Sequence, residues 1–111
     1  MLFRSGGERS SATWRERKAA YHASLAAKPA TDPSLLVSLA DKVHNIESTL
    51  VQVRAGETLE RIYRHFNAGR ADQQWNYEEL HKCFAAHAEA NPQLRKLVTR
   101  FGHAVREVFA R

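Results

Sequence analysis

Apolar residues recur every three to four positions along most of the chain, which is the spacing of one face of an α-helix. No segment alternates apolar and polar residues with the period of two that marks a half-buried strand. The pattern therefore predicts an all-α fold of five helices, over residues 13–27, 33–54, 57–66, 71–90 and 91–110.

Residues that favour helix ends stand at the predicted boundaries. The candidate N-caps are Thr13, with Glu16 at the spacing of a capping box, and Asp32 and Asn91, each directly before a proline. Gly56 is a stop signal for the helix over 33–54. Residues 1–12 are rich in glycine, serine and charge and are predicted to be disordered, which leaves 13–111 as one helical domain.

The predicted helix over 33–54 carries two different faces. Its apolar stripe, which we expect to be buried, contains Leu36, Leu39, Val43, Ile46 and Leu50, widened by Leu35 and Val53. The opposite face contains Ser34, Val37, Ser38, Asp41, His44, Asn45 and Ser48. Lysine, glutamate and arginine, which usually cover an exposed helix face, are absent from it.

Asp41 and Asn45 are one helical turn apart, so their side chains point the same way. Spacing alone leaves two interpretations of this face open. Either it is a solvent-facing stripe that happens to contain an aspartate, or the helix is buried on both sides and these two residues line a polar site.

Composition limits the kinds of partner and site that the chain can have. The net charge of +5 permits an anionic partner, but the basic residues are spread along the chain, so we expect no specific nucleic-acid binding. The single cysteine, Cys83, excludes an internal disulfide and a metal site built on paired cysteines. No apolar run approaches the roughly 20 residues needed to cross a bilayer, so a soluble cytoplasmic protein with no membrane partner is expected. The aromatic stripe of Trp75, Tyr77 and Phe84 is compatible with base stacking, but core packing is favoured.

Residues 35–45, LLVSLADKVHN, resemble the last motif of the HD superfamily of metal-dependent phosphohydrolases, particularly the guanosine tetraphosphate (ppGpp) hydrolases. Upstream, residues 14–21, WRERKAAY, resemble a family helix that carries a tryptophan, an Arg-Lys pair and a tyrosine. Downstream, residues 64–67, RHFN, and 75–77, WNY, resemble two further family segments. The resemblance covers residues 13–90, with its parts in the family's order and spacing.

The resemblance implies a site. Asp41 would be the final ligand of a divalent metal, usually Mn²⁺, and Asn45 would contact the nucleotide at its ribose. In the family, that metal activates the water that removes the 3′-pyrophosphate of guanosine tetra- or pentaphosphate in the stringent response. Arg17 and Lys18 are then candidate phosphate contacts, and a surface ion pair with Glu16 or other neighbours is the equal alternative for both.

The family's other metal ligands are a histidine and then a His-Asp pair, upstream of the helix that begins near residue 13. Residues 1–12 contain no histidine, and no histidine of the chain is followed by aspartate. We therefore expect a partial HD domain over 13–111 that binds metal weakly or not at all and is inactive as an isolated chain.

Two origins are compatible with such a chain: a truncated product of an enzyme gene, or a non-enzymatic basic helical module that binds a nucleotide or a protein. In the first case, helices that cover the polar face of 33–54 would be missing. That face should then be open and flanked by apolar surface, and the chain should be marginally stable or self-associate through it.

Overall fold

The helical fold predicted from the sequence is confirmed. The computed structural model describes residues 11–111, and within this range it contains five α-helices and no strand. They are α1 (Ser11–Ala27), α2 (Pro33–Arg54), α3 (Leu59–Tyr63), α4 (Arg70–Ala90) and α5 (Arg95–Phe109), with a 3₁₀ turn at Pro92–Leu94. None of the helices in this range combines the length and the apolarity needed to span a membrane.

Helix α2 begins and ends as predicted. The Asp32 carboxylate is its N-cap and accepts a hydrogen bond of 2.9 Å from the backbone N–H of Ser34, a donor that has no partner within the helix. Gly56 follows the helix with a φ of 103°, a conformation that L side chains rarely adopt. Asn91 is also confirmed as a cap, because its side chain accepts a hydrogen bond of 3.1 Å from the N–H of Gln93.

The predicted boundaries of three helices are wrong, and one of the three is α5, which begins at Arg95 after the 3₁₀ turn and not at residue 91. Helix α1 is already helical at its first described residue, so Thr13 lies within the helix and is not its N-cap. The segment predicted to be disordered, 1–12, therefore overlaps the helix at its last two residues, and 1–10 lie outside the described range. Helix α3 is shorter than the predicted 57–66, since the Thr58 hydroxyl accepts a 3.2 Å hydrogen bond from the Arg61 N–H and starts the helix at Leu59.

The hydrophobic core lies between α2, α4 and α5. Phe84 of α4 and Phe101 of α5 are fully buried, and their rings meet edge to face with centroids 6.2 Å apart. The other fully buried large side chains are Leu25, Leu35, Leu39, Ile46, Leu80, Leu94 and Val108. Leu36, predicted to be buried, is instead 38% exposed, because the buried stripe of α2 is centred on Leu35 and Leu39.

The molecule is thin. Its Cα atoms extend 41 × 40 × 17 Å, and the short dimension corresponds to about two layers of helices packed 8–10 Å apart. Helix α2 packs against α5, and α1 packs against α4. The polar face of α2 is not covered by α5, the helix against which α2 packs, and Val37 on that face is 71% exposed.

Two arginine–glutamate pairs join α2 to α5 at the surface. Arg100 donates two hydrogen bonds, of 2.5 and 2.6 Å, to the carboxylate of Glu47. Arg54 donates two more, of 2.8 and 2.7 Å, to Glu107. Bidentate pairing fixes the orientation of both partners, so the two pairs set the register of α5 along α2.

These pairs make the stability of the domain sensitive to acid. The hydrogen bonds from Arg100 hold the pKa of Glu47 below its ordinary value of 4.5, and those from Arg54 do the same for Glu107. A depressed carboxylate pKa contributes stability that is present above the ordinary pKa and is lost as the pH falls through the folded-state value. We expect the melting temperature to fall on acidification from about pH 6 to about pH 3, and to fall less in a Glu47→Gln/Glu107→Gln double variant.

Glu89→Gln is the matched control, since this exposed side chain forms no ion pair with a described residue. Thermal melting followed by circular dichroism provides the measurement. If the double variant and the Glu89 variant lost the same amount of stability on acidification, the two ion pairs would not be the source of the sensitivity.

Candidate functional site

Asp41 and Asn45 lie on the exposed face of α2, one turn apart, as their spacing predicted. The Asp41 side chain is 62% exposed, and its ion pair within the described range is to Lys42 at 3.7 Å. Of the two interpretations left open by the sequence, the solvent-facing one describes this face as it stands in the structure. The apolar residues that flank it are Leu36, Val37 and Tyr21.

A protein metal site requires several ligands in a defined geometry. Among residues 11–111, no group of three or more histidine, cysteine, aspartate or glutamate side chains is placed to hold a metal ion. Asp41 is a single carboxylate, so these residues do not by themselves fit the metal that the HD resemblance implies.

Lysine side chains of α1 and α2 lie near this exposed face of α2. The Lys18 ammonium lies 5.5 Å from the centroid of the Trp14 indole ring, and the Lys42 ammonium lies 5.5 Å from the Tyr21 ring. Burial, together with the positive charges of Lys42 and Arg17, lowers the pKa of Lys18. Three positive charges therefore act on one another between α1 and α2.

The predicted alternative for Arg17 and Lys18, an ion pair with Glu16 or another neighbour, is not formed within the described range. The ion pair of α1 within that range is made instead by Arg15, whose Nε donates a 2.6 Å hydrogen bond to Asp72 of α4. Arg17 and Lys18 are thus left without a carboxylate partner among the described residues, which leaves their charges available to an anion.

A buried polar seam, defined by His22, His87, Asn76 and Cys83, fixes α1 against α4. The Nε2 atom of His22 lies 2.7 Å from the side-chain oxygen of Asn76, and the His87 Nε2 lies 2.8 Å from the backbone oxygen of Leu25. The Cys83 thiol makes a weak contact of 3.6 Å with the His22 backbone oxygen, and burial raises the pKa of this thiol. Cys83 is therefore half-buried, and a raised pKa disfavours its thiolate form.

Sequence reasoning did not identify His22 as a structural residue, although a signal was present. Trp14, His22 and Leu25 are spaced so that they share one face of a helix, and the first and last of them are large apolar residues. All three are buried in the structure. A histidine on a buried stripe requires a hydrogen-bond partner, and Asn76 provides it.

A cavity of about 550 Å³ opens beside Asn45, between α2 and the segment formed by α3 and the start of α4. Its lining is rich in neutral polar and aromatic groups: Asn45, Ser48, Thr49, Gln52, Gln73, Tyr63, Phe66 and Tyr77, with His44 and Ile62. This composition suits a neutral ring that carries hydrogen-bonding groups, such as a sugar or a nucleobase.

One polar atom in the wall of this cavity lacks a well-formed hydrogen bond to any described residue. The Tyr63 hydroxyl is buried, and the Thr49 side chain beside it gives it only a weak interaction. The Thr49 hydroxyl instead donates a 3.2 Å hydrogen bond to the backbone oxygen of Asn45. Burial raises the pKa of Tyr63, so the phenol stays protonated and keeps a donor at this position.

Comparisons of the chain with protein-family models, with curated proteins and with solved structures gave no match. The features that bear on function are therefore the side chains of Asp41 and Asn45, the cations near them, and the resemblance of residues 35–45 to the HD motif.

Proposed function

We propose that this chain is part of an HD-type metal-dependent phosphohydrolase of the guanosine tetraphosphate class, a part that binds the nucleotide but does not hydrolyse it when isolated. The observation that carries the proposal is a group of three cations near Asp41: the charges of Lys42 and Arg17 both act on Lys18, and the Lys42 ammonium lies 3.7 Å from the Asp41 carboxylate. The structure places against these cations one carboxylate at 3.7 Å, which is too long for a close charge-assisted hydrogen bond.

Three neighbouring cations repel one another, and the repulsion is greatest for a lysine that is partly withdrawn from water, as Lys18 is. A polyphosphate removes that repulsion, because its oxygens accept hydrogen bonds from several ammonium and guanidinium groups at once. The phosphates would lie between α1 and α2, and the sugar and base would extend along α2 past Asn45 toward the cavity beside it.

Asp41 has a separate role in this proposal. It is the one acidic residue on the exposed face of α2, and it provides one ligand toward a metal whose remaining ligands come from outside the described residues. A lone carboxylate holds a divalent metal weakly, and water that is not activated does not attack a pyrophosphate at a useful rate. Binding and hydrolysis are thus separable in this chain.

A second function is favoured by the pairing of Asp41 itself. The Asp41 carboxylate is paired, although loosely, with the adjacent Lys42 on the same helix, as expected of a surface residue with no metal to bind. The alternative is therefore a non-enzymatic module that binds a nucleotide or a protein through its cations. Nucleotide binding is compatible with both functions, and they differ in whether catalysis can be restored.

Nucleotide binding is expected to depend on Lys18 and Lys42. Each of Lys18→Gln and Lys42→Gln should weaken the binding of guanosine tetraphosphate by about tenfold, since each removes a charged hydrogen-bond donor worth about 1.5 kcal/mol. Isothermal titration calorimetry in the presence of a chelator measures the affinity without a metal contribution. Lys96→Gln, an exposed lysine at the start of α5 without an ion pair in the described range, is the matched control. Equal affinity in all four proteins would remove the basis of the proposal.

Self-association through the exposed face of α2 is a further expected property. Leu36 and Val37 present adjacent apolar side chains there, and a second copy of the chain would cover them. The mass measured by light scattering after size exclusion should rise with protein concentration, and Val37→Lys should suppress the rise. Ala23→Lys, on the exposed side of α1, should leave it unchanged. A mass that stays monomeric at every concentration would show that this face is stable in water.

A further inference from the structure

A second cleft, of about 560 Å³, lies between α4 and α5 and involves no residue of α1 or α2. Its apolar surface is formed by Val105, Phe109 and Ala110, and its polar rim by Gln74, Glu78 and Lys82. His81 and Arg106 stand between the apolar surface and the rim, next to Gly102. A volume of this size is in the range of small-molecule sites.

Gly102 allows two nitrogen atoms to approach the same point of α5. A Cβ atom at this position would lie 2.7 Å from the His81 Nε2 and 3.3 Å from the Nη1 of Arg106. The two nitrogens are therefore within about 6 Å of each other, a separation at which one anion interacts with both. Any side chain larger than hydrogen at 102 would displace the imidazole.

One cation of this cleft, Arg106, has no ion-pair partner among residues 11–111, whereas Arg54 and Arg100 each bind a glutamate. Of the other charged groups on the rim, Lys82 is paired with Glu79 at 2.9 Å, and the Glu78 carboxylate accepts a 3.0 Å hydrogen bond from Gln74. Burial and the nearby Arg106 charge both lower the pKa of His81, against the opposing effect of a hydrogen bond to the Val98 backbone.

We propose that this cleft binds a small amphiphilic carboxylate, an aromatic or short aliphatic acid. The carboxylate accepts hydrogen bonds from Arg106 beside the His81 imidazole, and the apolar body of the acid packs against Val105 and Phe109. One unpaired guanidinium matches a single negative charge, and the apolar surface requires a ligand with a body to bury, so a polyphosphate fits the cleft poorly. The site is independent of the nucleotide function proposed for α1 and α2.

The test uses the whole chain and para-trifluoromethylbenzoate as the probe, followed by fluorine NMR with concentrations up to about 10 mM. We expect saturable binding, and we expect Arg106→Gln to weaken it by about tenfold. Ala110→Trp fills the cleft from its exposed edge, and it should abolish binding. Arg100→Gln is the matched control on the same helix and should leave the affinity unchanged, since that guanidinium binds Glu47 on the α2 side.

Two comparisons make the result decisive. The neutral analogue para-trifluoromethylbenzyl alcohol has the same body and no charge, and it should bind about tenfold more weakly or worse. Thermal melting of each variant establishes that it is folded before its affinity is compared. The proposal is overturned if the acid does not bind saturably, if the alcohol binds as well as the acid, or if folded Arg106→Gln or Ala110→Trp protein keeps the wild-type affinity.

Discussion

Mixed with the N-terminal half of a related HD domain, the chain should hydrolyse guanosine tetraphosphate in the presence of Mn²⁺, and neither part should do so alone. Asp41→Asn should lower the restored rate by at least about a thousandfold, because the amide removes a charged ligand from a metal that must activate water. Release of pyrophosphate, measured with purified parts, provides the readout. Nucleotide affinity of the Asp41 variant, measured separately, distinguishes a catalytic loss from a binding loss.

The control for this experiment is Glu89→Gln, an acidic residue near the end of α4 that lies outside both cavities. Two results would count against the proposed enzyme lineage. If the mixture stays inactive while the chain binds the nucleotide, the non-enzymatic binding module is the correct function. If the chain alone turns over the nucleotide in an Asp41-dependent way, its metal ligands are complete without a second part.

The largest effect on stability is expected at Phe84. Its side chain is fully buried between α4 and α5 and contacts the ring of Phe101. Phe84→Ala should lower the free energy of unfolding by about 3–5 kcal/mol through lost burial and the cavity that remains. That loss is a large share of the total for a domain of this size, for which about 5–15 kcal/mol is usual. Urea denaturation followed by circular dichroism measures it.

Phe66→Ala is the matched control for the same chemical change. The Phe66 side chain is 58% exposed, so its removal leaves no enclosed cavity and should change the free energy of unfolding by about 0.5 kcal/mol or less. Similar losses in the two variants would mean that the core is not centred on Phe84 and Phe101. A change in the slope of the denaturation curve for Phe84→Ala would indicate that the native state has become less compact.

The sequence predicted the helices best where a local interaction decides the boundary. The Asp32 cap and the Gly56 stop act within a few residues, and α2 begins and ends as expected. Helix α3 is shorter than predicted. Its first residue depends on a single hydrogen bond of 3.2 Å, from the Arg61 N–H to the Thr58 hydroxyl, and the sequence pattern does not show which residue forms the cap. Leu36 was assigned to the core because periodicity gives the direction of a stripe but not its exact width.

The candidate site was also predicted only where its residues belong to one helix. Spacing on one helix was sufficient to place Asp41 and Asn45 together, since both belong to α2. The approach of Lys42 to Tyr21 and of Lys18 to Lys42 depends on how α1 and α2 are placed in the fold, which no local pattern contains. The cavity beside Asn45 was not foreseen for the same reason, because its walls come from three separate helices.

The polar seam between α1 and α4 has a consequence for the way the domain opens. Helix α1 buries only Trp14 and Leu25 as large apolar side chains, and otherwise depends on hydrogen bonds such as that between His22 and Asn76. Detaching it exposes fewer large apolar side chains than detaching α2 would, so its amide protons should exchange with deuterium through a local opening at a lower free energy than global unfolding. Since α1 also carries Arg17 and Lys18, an anion held by them would slow that exchange, and α1 would behave as a separately cooperative unit whose closure is coupled to the ligand.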